Sequence, residues 1–333
     1  MSIIIKVTDL SKVFKIHKKE EGFRGSLKAL FKREYVEKKA LSNVSFNVSE
    51  GEIIGVLGAN GAGKTTLLKM LTGIINPSEG SVEVLNYIPW ERNNNFRKQI
   101  SLIMGQKAQL WWDLPAADCF LLLKEIYQIP TNDYQEILDE LCSILNVKHL
   151  INIQLRQLSL GERMKMELIA SLLHKPKVLF LDEPTIGLDV SSQYNIREFI
   201  LKYIEKYRPA VILTSHYMED IESLCKRVLI IKEGELVYDG KLDKIMKLYS
   251  PYKVVKVHFE NFENFKKNPD PLSAFGNVII NDHFIEIKVL REDITKIINL
   301  ILENYPIIDL TIEEVNSSLI IDSVLKNIVN TSV

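Results

Sequence analysis

The segment Gly58-Ala59-Asn60-Gly61-Ala62-Gly63-Lys64-Thr65 constrains this chain more than any other. It follows Ile53–Leu57, a short apolar run without alternation, which predicts a strand buried on both faces as in a parallel sheet. It opens onto a helical pattern starting near Lys64. Strand, glycine-rich loop, helix is the setting in which the pattern GxxxxGK[ST] cradles phosphate. Gly58, Gly61 and Gly63 let the backbone curl until its N–H groups point at phosphate oxygens. The helix N-terminus adds the positive end of its dipole. Lys64 is then placed to neutralise the β- and γ-phosphates, the Thr65 hydroxyl to ligate Mg²⁺, and Thr66 to hold the α-phosphate. Ala59, Asn60 and Ala62 complete the backbone cradle.

A second apolar run, residues 178–181, ends in Asp182 and Glu183. Buried parallel strands deliver residues to the ligand crevice at their C-terminal ends. Beside a phosphate loop, Asp182 is expected to hold Mg²⁺ through water and Glu183 to polarise the attacking water. Without that loop the same pair would read as two surface acids in a turn.

The rest of the chain fits an α/β core. Residues 3–14 and 41–48 read as strands, residues 116–150 and 159–174 as helical, and Ala210–Thr214 as another buried strand. Residues 228–231 and 235–238 read as a hairpin around Lys232-Glu233-Gly234. After about Tyr249 the pattern changes to short strands near 254–259, 278–280, 285–289 and 307–312, with a helix near 293–304. This predicts a small α+β appendage, ferredoxin-like in outline. The expected division is 1–248 and 249–333, with a helical subdomain near 107–175. A basic stretch, residues 15–39, interrupts the first two strands. In it Phe23, Leu27, Leu30 and Phe31 recur at helical spacing among Arg24, Lys28, Lys32 and Arg33.

Composition sets limits. The chain has 333 residues and a formal net charge of −1, so no overall field draws it to nucleic acid or anionic membrane. Its three cysteines, Cys119, Cys142 and Cys225, are far apart, which suggests neither a zinc ribbon nor a disulfide framework; each is expected to pack. The apolar runs are too short to span a bilayer and the N-terminus reads as a strand rather than a leader. Such a chain is expected to be soluble by itself, with any membrane work done by another chain.

At Leu158-Ser159-Leu160-Gly161-Glu162 the sequence resembles the ABC (ATP-binding cassette) family, whose signature is usually LSGGQ. Leu160 and Glu162 depart from that pattern, while Ser159 and Gly161 keep it. Ser159 before a helical pattern also reads as an N-cap. The resemblance implies that the helix start, through Ser159, Gly161 and Glu162, faces the γ-phosphate held by the other cassette of a dimer. Glu162 would bring a carboxylate near that phosphate and weaken closure slightly. Further matches fall in family order. Gln106 looks like the glutamine that touches Mg²⁺ and senses the γ-phosphate. Asp189, in Gly187-Leu188-Asp189, looks like the loop that crosses the dimer interface. His216 looks like the switch histidine at the γ-phosphate, and Phe14 like the aromatic that stacks on adenine, with core packing as its alternative.

The resemblance spans roughly residues 3–240 and implies a P-loop NTPase cassette, with a mixed sheet core and a helical subdomain. It implies binding of ATP with Mg²⁺, an ATPase with Glu183, His216 and Lys64 as catalytic groups, and a homodimer driving a separate integral-membrane permease at the cytoplasmic side of the membrane. The pattern around Thr185-Ile186-Gly187-Leu188-Asp189 is similar to that of drug and antibiotic exporters. A polysaccharide or teichoic-acid exporter, an importer, and a non-transport ATPase acting on ribosomes or DNA are the other readings. The last is disfavoured, because there is one cassette and no long coiled coil between the motifs. Trp111-Trp112 lies where such proteins receive a permease helix; burial within the helical subdomain is the alternative. The 15–39 stretch could dock at the permease–membrane boundary or pack as a surface helix.

Overall fold

The computed structural model describes residues 2–17, 35–105, 107–215, 217–249, 252–260, 272, 275–281 and 283–314. Gln106, His216 and the centre of the basic stretch, residues 18–34, lie outside the described residues, and with them the amphipathic pattern from Phe23 to Phe31. The chain forms two compact units, Met1–Lys241 and Leu242–Val333.

In the first unit β1 (Ile3–His17) pairs antiparallel with β2 (Tyr35–Ser49). The strands run further than expected, since Lys15, Ile16 and His17 face Glu37, Val36 and Tyr35. Both ends of the 15–39 stretch are therefore strand, as the aromatic and β-branched pair Tyr35-Val36 favours. Next come β3 (Ile53–Leu57), α1 (Lys64–Leu71) and β4 (Glu79–Val84), which pairs with β1 to complete a three-stranded sheet ordered β2-β1-β4.

The helix α2 (Asn94–Arg97) and strand β5 (Ile100–Met104) precede α3 (Ala116–Tyr127), α4 (Thr131–Ile144) and α5 (Leu160–Leu172). The helical pattern expected across 116–150 is thus broken in two. Gln128 turns left-handed with φ 56°, and Pro130 starts the next helix. Proline lacks the N–H and disfavours helical geometry in the residue before it, so a continuous helix cannot form there.

The chain continues through β6 (Val178–Asp182), α6 (Val190–Tyr207), β7 (Ala210–Thr214), α7 (Met218–Leu224), β8 (Arg227–Lys232) and β9 (Glu235–Lys241). The main sheet is ordered β5-β6-β7-β3-β8-β9, parallel except for the final hairpin. Every residue of β6 and β7 is buried, as their unbroken apolar runs require. One face of this sheet (Ile54, Val56, Val178, Phe180, Ile212), the inner side of α1 (Leu67, Leu68, Leu71) and the antiparallel sheet (Ile5, Val7, Val44, Phe46) share one core. That sandwich fixes the start of α1 above the C-terminal ends of β3 and β6. All three cysteines are buried and free, and burial pushes the Cys142 thiol up to about 11.

The second unit holds α8 (Leu242–Tyr249), β10 (Tyr252–Phe259), β11 (Gly276–Ile280), β12 (Ile285–Leu290), α9 (Ile294–Asn304) and β13 (Ile307–Glu314). By contacts α8 counts with this unit, so the division falls after Lys241 rather than at the expected 248. The antiparallel sheet is ordered β11-β12-β10-β13, the strand order of the ferredoxin-like split βαβ arrangement. Ile297 and Ile301 of α9 pack on Val255, Val257, Ile285 and Ile287.

Candidate functional site

The loop between β3 and α1 wraps one end of the sandwich. Gly63 has φ 112°, and a Cβ there would sit 2.4 Å from the Ala40 carbonyl oxygen, so only glycine lets the loop lie against β2. Lys64 begins α1 and is buried. Its Nζ donates to the carbonyls of Gly58 at 2.7 Å and Ala59 at 3.1 Å, which holds the ammonium inside the loop. Ala62 is buried and its N–H closes the loop on the Ala59 carbonyl at 3.1 Å. Burial draws the Lys64 pKa down, with the Glu183 and Asp182 carboxylates acting against it.

Asp182 ends β6 and is joined to α1 and β7 by hydroxyls. Thr65 Oγ1 donates to its Oδ2 at 2.9 Å, and Thr214 Oγ1 to its Oδ1 at 2.6 Å. Glu183 takes a left-handed backbone, φ 55°, which costs a non-glycine residue on the order of 1–2 kcal/mol. The fold holds it there: Glu183 N–H donates to the Thr214 carbonyl at 2.9 Å, and Gly105 N–H to the Asp182 carbonyl at 2.8 Å. The kink carries Glu183 out of the strand line toward α1. Strain of this kind is retained where a side chain must be aimed.

Phe14, Asn60, Gly61, Gly63, Lys64, Thr65, Thr66 and Glu183 line one cavity of about 840 Å³. Lys15, Lys38, Ala40 and Ile186 line it too. Sequence reasoning passed over these four, since only the β1–β2 register brings Lys38 opposite Phe14. A second cavity of about 190 Å³ is lined by Thr65, Lys69, Met104, Lys107, Asp182 and Glu183. The two meet at Thr65 and Glu183.

Ser159, Gly161, Glu162 and Asp189 line neither cavity. Ser159 is the N-cap of α5, with a reciprocal capping box: Ser159 Oγ accepts from Glu162 N–H at 3.2 Å, and Glu162 Oε2 accepts from Ser159 N–H at 2.9 Å. Glu162 therefore has an intramolecular partner in its own helix start. It is engaged by the Ser159 amide, which holds its pKa below the usual carboxylate range. The Ser159 hydroxyl accepts in this box, so its own hydrogen can donate outward. Asp189 is the N-cap of α6 and accepts from the Ser192 amide at 2.9 Å and hydroxyl at 2.6 Å. Ser192 also abuts Gly161: a Cβ on that glycine would meet Ser192 Oγ at 2.7 Å. The starts of α5 and α6 therefore touch.

Beneath the site lies a fully buried acid that sequence reasoning missed. Asp220, in the first turn of α7, accepts from Arg197 Nε at 2.5 Å, from Ser215 Oγ at 2.6 Å, and from Thr185 Oγ1. An acid there reads in sequence as an ordinary helix-start charge, so nothing marked it. It joins the residues just after Glu183, the end of β7 and α6. Removing the carboxylate takes the acceptor of two hydroxyls and the charge partner of Arg197, which retains its bond to Gln193 Oε1. Asp220→Leu is expected to lower stability by about 3–5 kcal/mol, read by urea unfolding; a loss under about 1 kcal/mol would mean the network contributes no more than a surface pair.

Comparison with known proteins identifies the family. A family profile described as ABC transporter matches residues 41–186, and one described as EvrA-like ABC transporter, C-terminal domain, matches residues 251–313. The chain is 30% identical over 207 residues to the ABC transporter ATP-binding protein NatA of Bacillus subtilis, covering 62% of this chain and 84% of that protein. It is 30% identical over 209 residues to the linearmycin resistance ATP-binding protein LnrL of the same species, covering 63% and 67%. The fold is similar, at TM-score 0.59 and 22% identity, to a dimeric ATP-binding cassette in a post-hydrolysis state bound to ADP and Pi, covering 72% of this chain and 98% of that one. The phosphate loop and the two acids at the end of β6 sit in a fold shared with these relatives, and the chain belongs to the ABC transporter family as an ATP-binding, ATP-hydrolysing subunit.

Proposed function

We propose that two copies of this chain drive a separate membrane permease as an exporter, working at the cytoplasmic face of the membrane. Within each copy Gly58 to Thr66 hold the triphosphate and Phe14 stacks on adenine. Thr65 and Asp182 hold Mg²⁺. Their oxygens lie within hydrogen-bond distance of each other and suit a hard cation that takes few protein ligands and completes its shell with phosphate and water. When bound, the ion neutralises charge between the β- and γ-phosphates. Glu183 orients and deprotonates the attacking water, and Lys64 stabilises charge on the γ-phosphate. Ser159 and Gly161 of the partner copy donate to that phosphate across the dimer. Gln106 and His216 are proposed on their sequence matches alone.

The observation that carries the permease reading is the segment after Gly105. Trp111 is 47% exposed and Trp112 49%. They are held rather than loose: Trp112 O accepts from Arg156 N–H at 3.0 Å, and Trp111 O from Leu114 N–H at 3.1 Å. Exposed, backbone-anchored tryptophans suit an interface core. On α3, Leu122 and Ile126 share a face and are exposed as well. Export is supported by similarity to a protein named for antibiotic resistance.

Replacing both tryptophans by alanine should abolish co-purification with the tagged permease, at more than about 2 kcal/mol per anchor lost. Unaltered co-purification would overturn the docking face. Direction is read by ATP-dependent movement of substrate into inside-out vesicles, where outflow instead would mean import.

A further inference from the structure

Glu167 lies in the middle of α5, 7% exposed. A buried carboxylate is costly unless it is hydrogen-bonded. Its Oε1 accepts two consecutive backbone amides, Gln109 at 2.9 Å and Leu110 at 3.1 Å. Burial pushes the Glu167 pKa up, while these amides and the Arg163 guanidinium pull against that. One turn earlier, the Arg163 guanidinium sits 4.6 Å from the centre of the Trp112 ring. Residues four apart share a helix face, so one face of α5 holds the 109–112 segment at two points. The same segment is tied to β5 by Gln109 Nε2, which donates to the Leu102 carbonyl at 2.7 Å. From Glu167 back to Ser159 the helix spans about 12 Å, too short a piece to bend easily. The amides of Gln109 and Leu110 are thus rigidly linked to the signature end of α5.

We propose that Glu167 and Arg163 are positioning residues that clamp the 109–112 segment to the signature helix, so that movement of either displaces the other. This rests on the reading of Ser159 as the nucleotide-facing end and of Trp111-Trp112 as the permease-facing one. Neither clamp residue touches the nucleotide cavity. The clamp carries a force from permease to signature, and a closure of the signature on ATP back to the tryptophans.

The test uses the full chain carrying Trp90→Phe, which leaves Trp111 and Trp112 as its two indoles. Their emission is recorded with and without ATP and Mg²⁺, and ATP binding is measured in parallel with a fluorescent analogue. In the parent, ATP shifts the emission. Glu167→Leu and Arg163→Ala each reduce that response at least about threefold while binding of the analogue is retained. Glu167→Gln keeps an oxygen acceptor for both amides and restores the response. A parent whose emission ignores ATP overturns the clamp, as does a Glu167→Leu chain that responds like the parent. If Glu167→Leu does not fold, Arg163→Ala at its partly exposed position decides alone. Loss of permease docking is read separately, by the co-purification described above, and can fail while the fluorescence result stands.

Discussion

Replacing Glu183 by glutamine is expected to leave ATP binding intact and to lower turnover by about 10²–10⁴-fold. The fold should not change. Glu183 stands at φ 55° because its amide is held by the Thr214 carbonyl and the neighbouring Gly105 allows the close approach of backbone, and a glutamine enters that conformation as readily. What changes is the chemistry at the side-chain tip: an amide cannot take a proton from water. Bound ATP then persists, and two cassettes that close on it should stay closed. Gel filtration with ATP and Mg²⁺ should show a dimer that the parent chain forms only in passing. A variant that turns over at the parent rate removes Glu183 from the reaction. Asp182 would answer differently, since its oxygens already organise Thr65 and Thr214, so a substitution there disturbs the start of α1 as well as the proposed Mg²⁺ site.

The parts of this site that are local in sequence were legible in it. Gly58 to Thr66 form one loop and one helix start, and their spacing alone dictates the cradle. Asp182 and Glu183 could be placed because an unbroken apolar run admits few geometries other than a buried strand. The signature could be placed because residues 158–162 resemble a family motif and Ser159 before a helical pattern reads as an N-cap; that Glu162 closes a capping box on it is a finding of the structure. Groups joined only by the fold were not legible. Lys38 reaches the nucleotide cavity through the register of β1 on β2, across a stretch of sequence that read as one basic insertion. Asp220 gathers Thr185, Ser215 and Arg197 from three elements, and Glu167 reaches back to Gln109 and Leu110. Each looks like an ordinary helix acid until its burial is known. The apolar period across 116–150 carries no sign of the break at Gln128 to Pro130, where the missing N–H of the proline is the stronger constraint.

Ser159→Arg should abolish hydrolysis, and mixing it with Glu183→Gln should restore part of it. Ser159 and its helix start line neither nucleotide cavity of their own copy, so ATP binding by the variant should stay near the parent value. The lost cap costs about 1 kcal/mol, too little to unfold the cassette. In the proposed dimer an arginine at that helix start would fill the space between the copies and displace the Ser159 hydroxyl and Gly161 amide from the opposing γ-phosphate. Each single variant then has two dead sites per dimer. In a mixed dimer, one site joins the intact Glu183 of the arginine-bearing copy to the intact Ser159 of the other. The second site has both defects. With equal mixing and a symmetric interface, half the dimers are mixed and each has one working site, so activity should recover to at most about a quarter of the parent. Recovery requires that Ser159 serve the nucleotide of the other copy. If it served its own, every copy would carry a defect in its own site and the mixture would stay as inactive as its components.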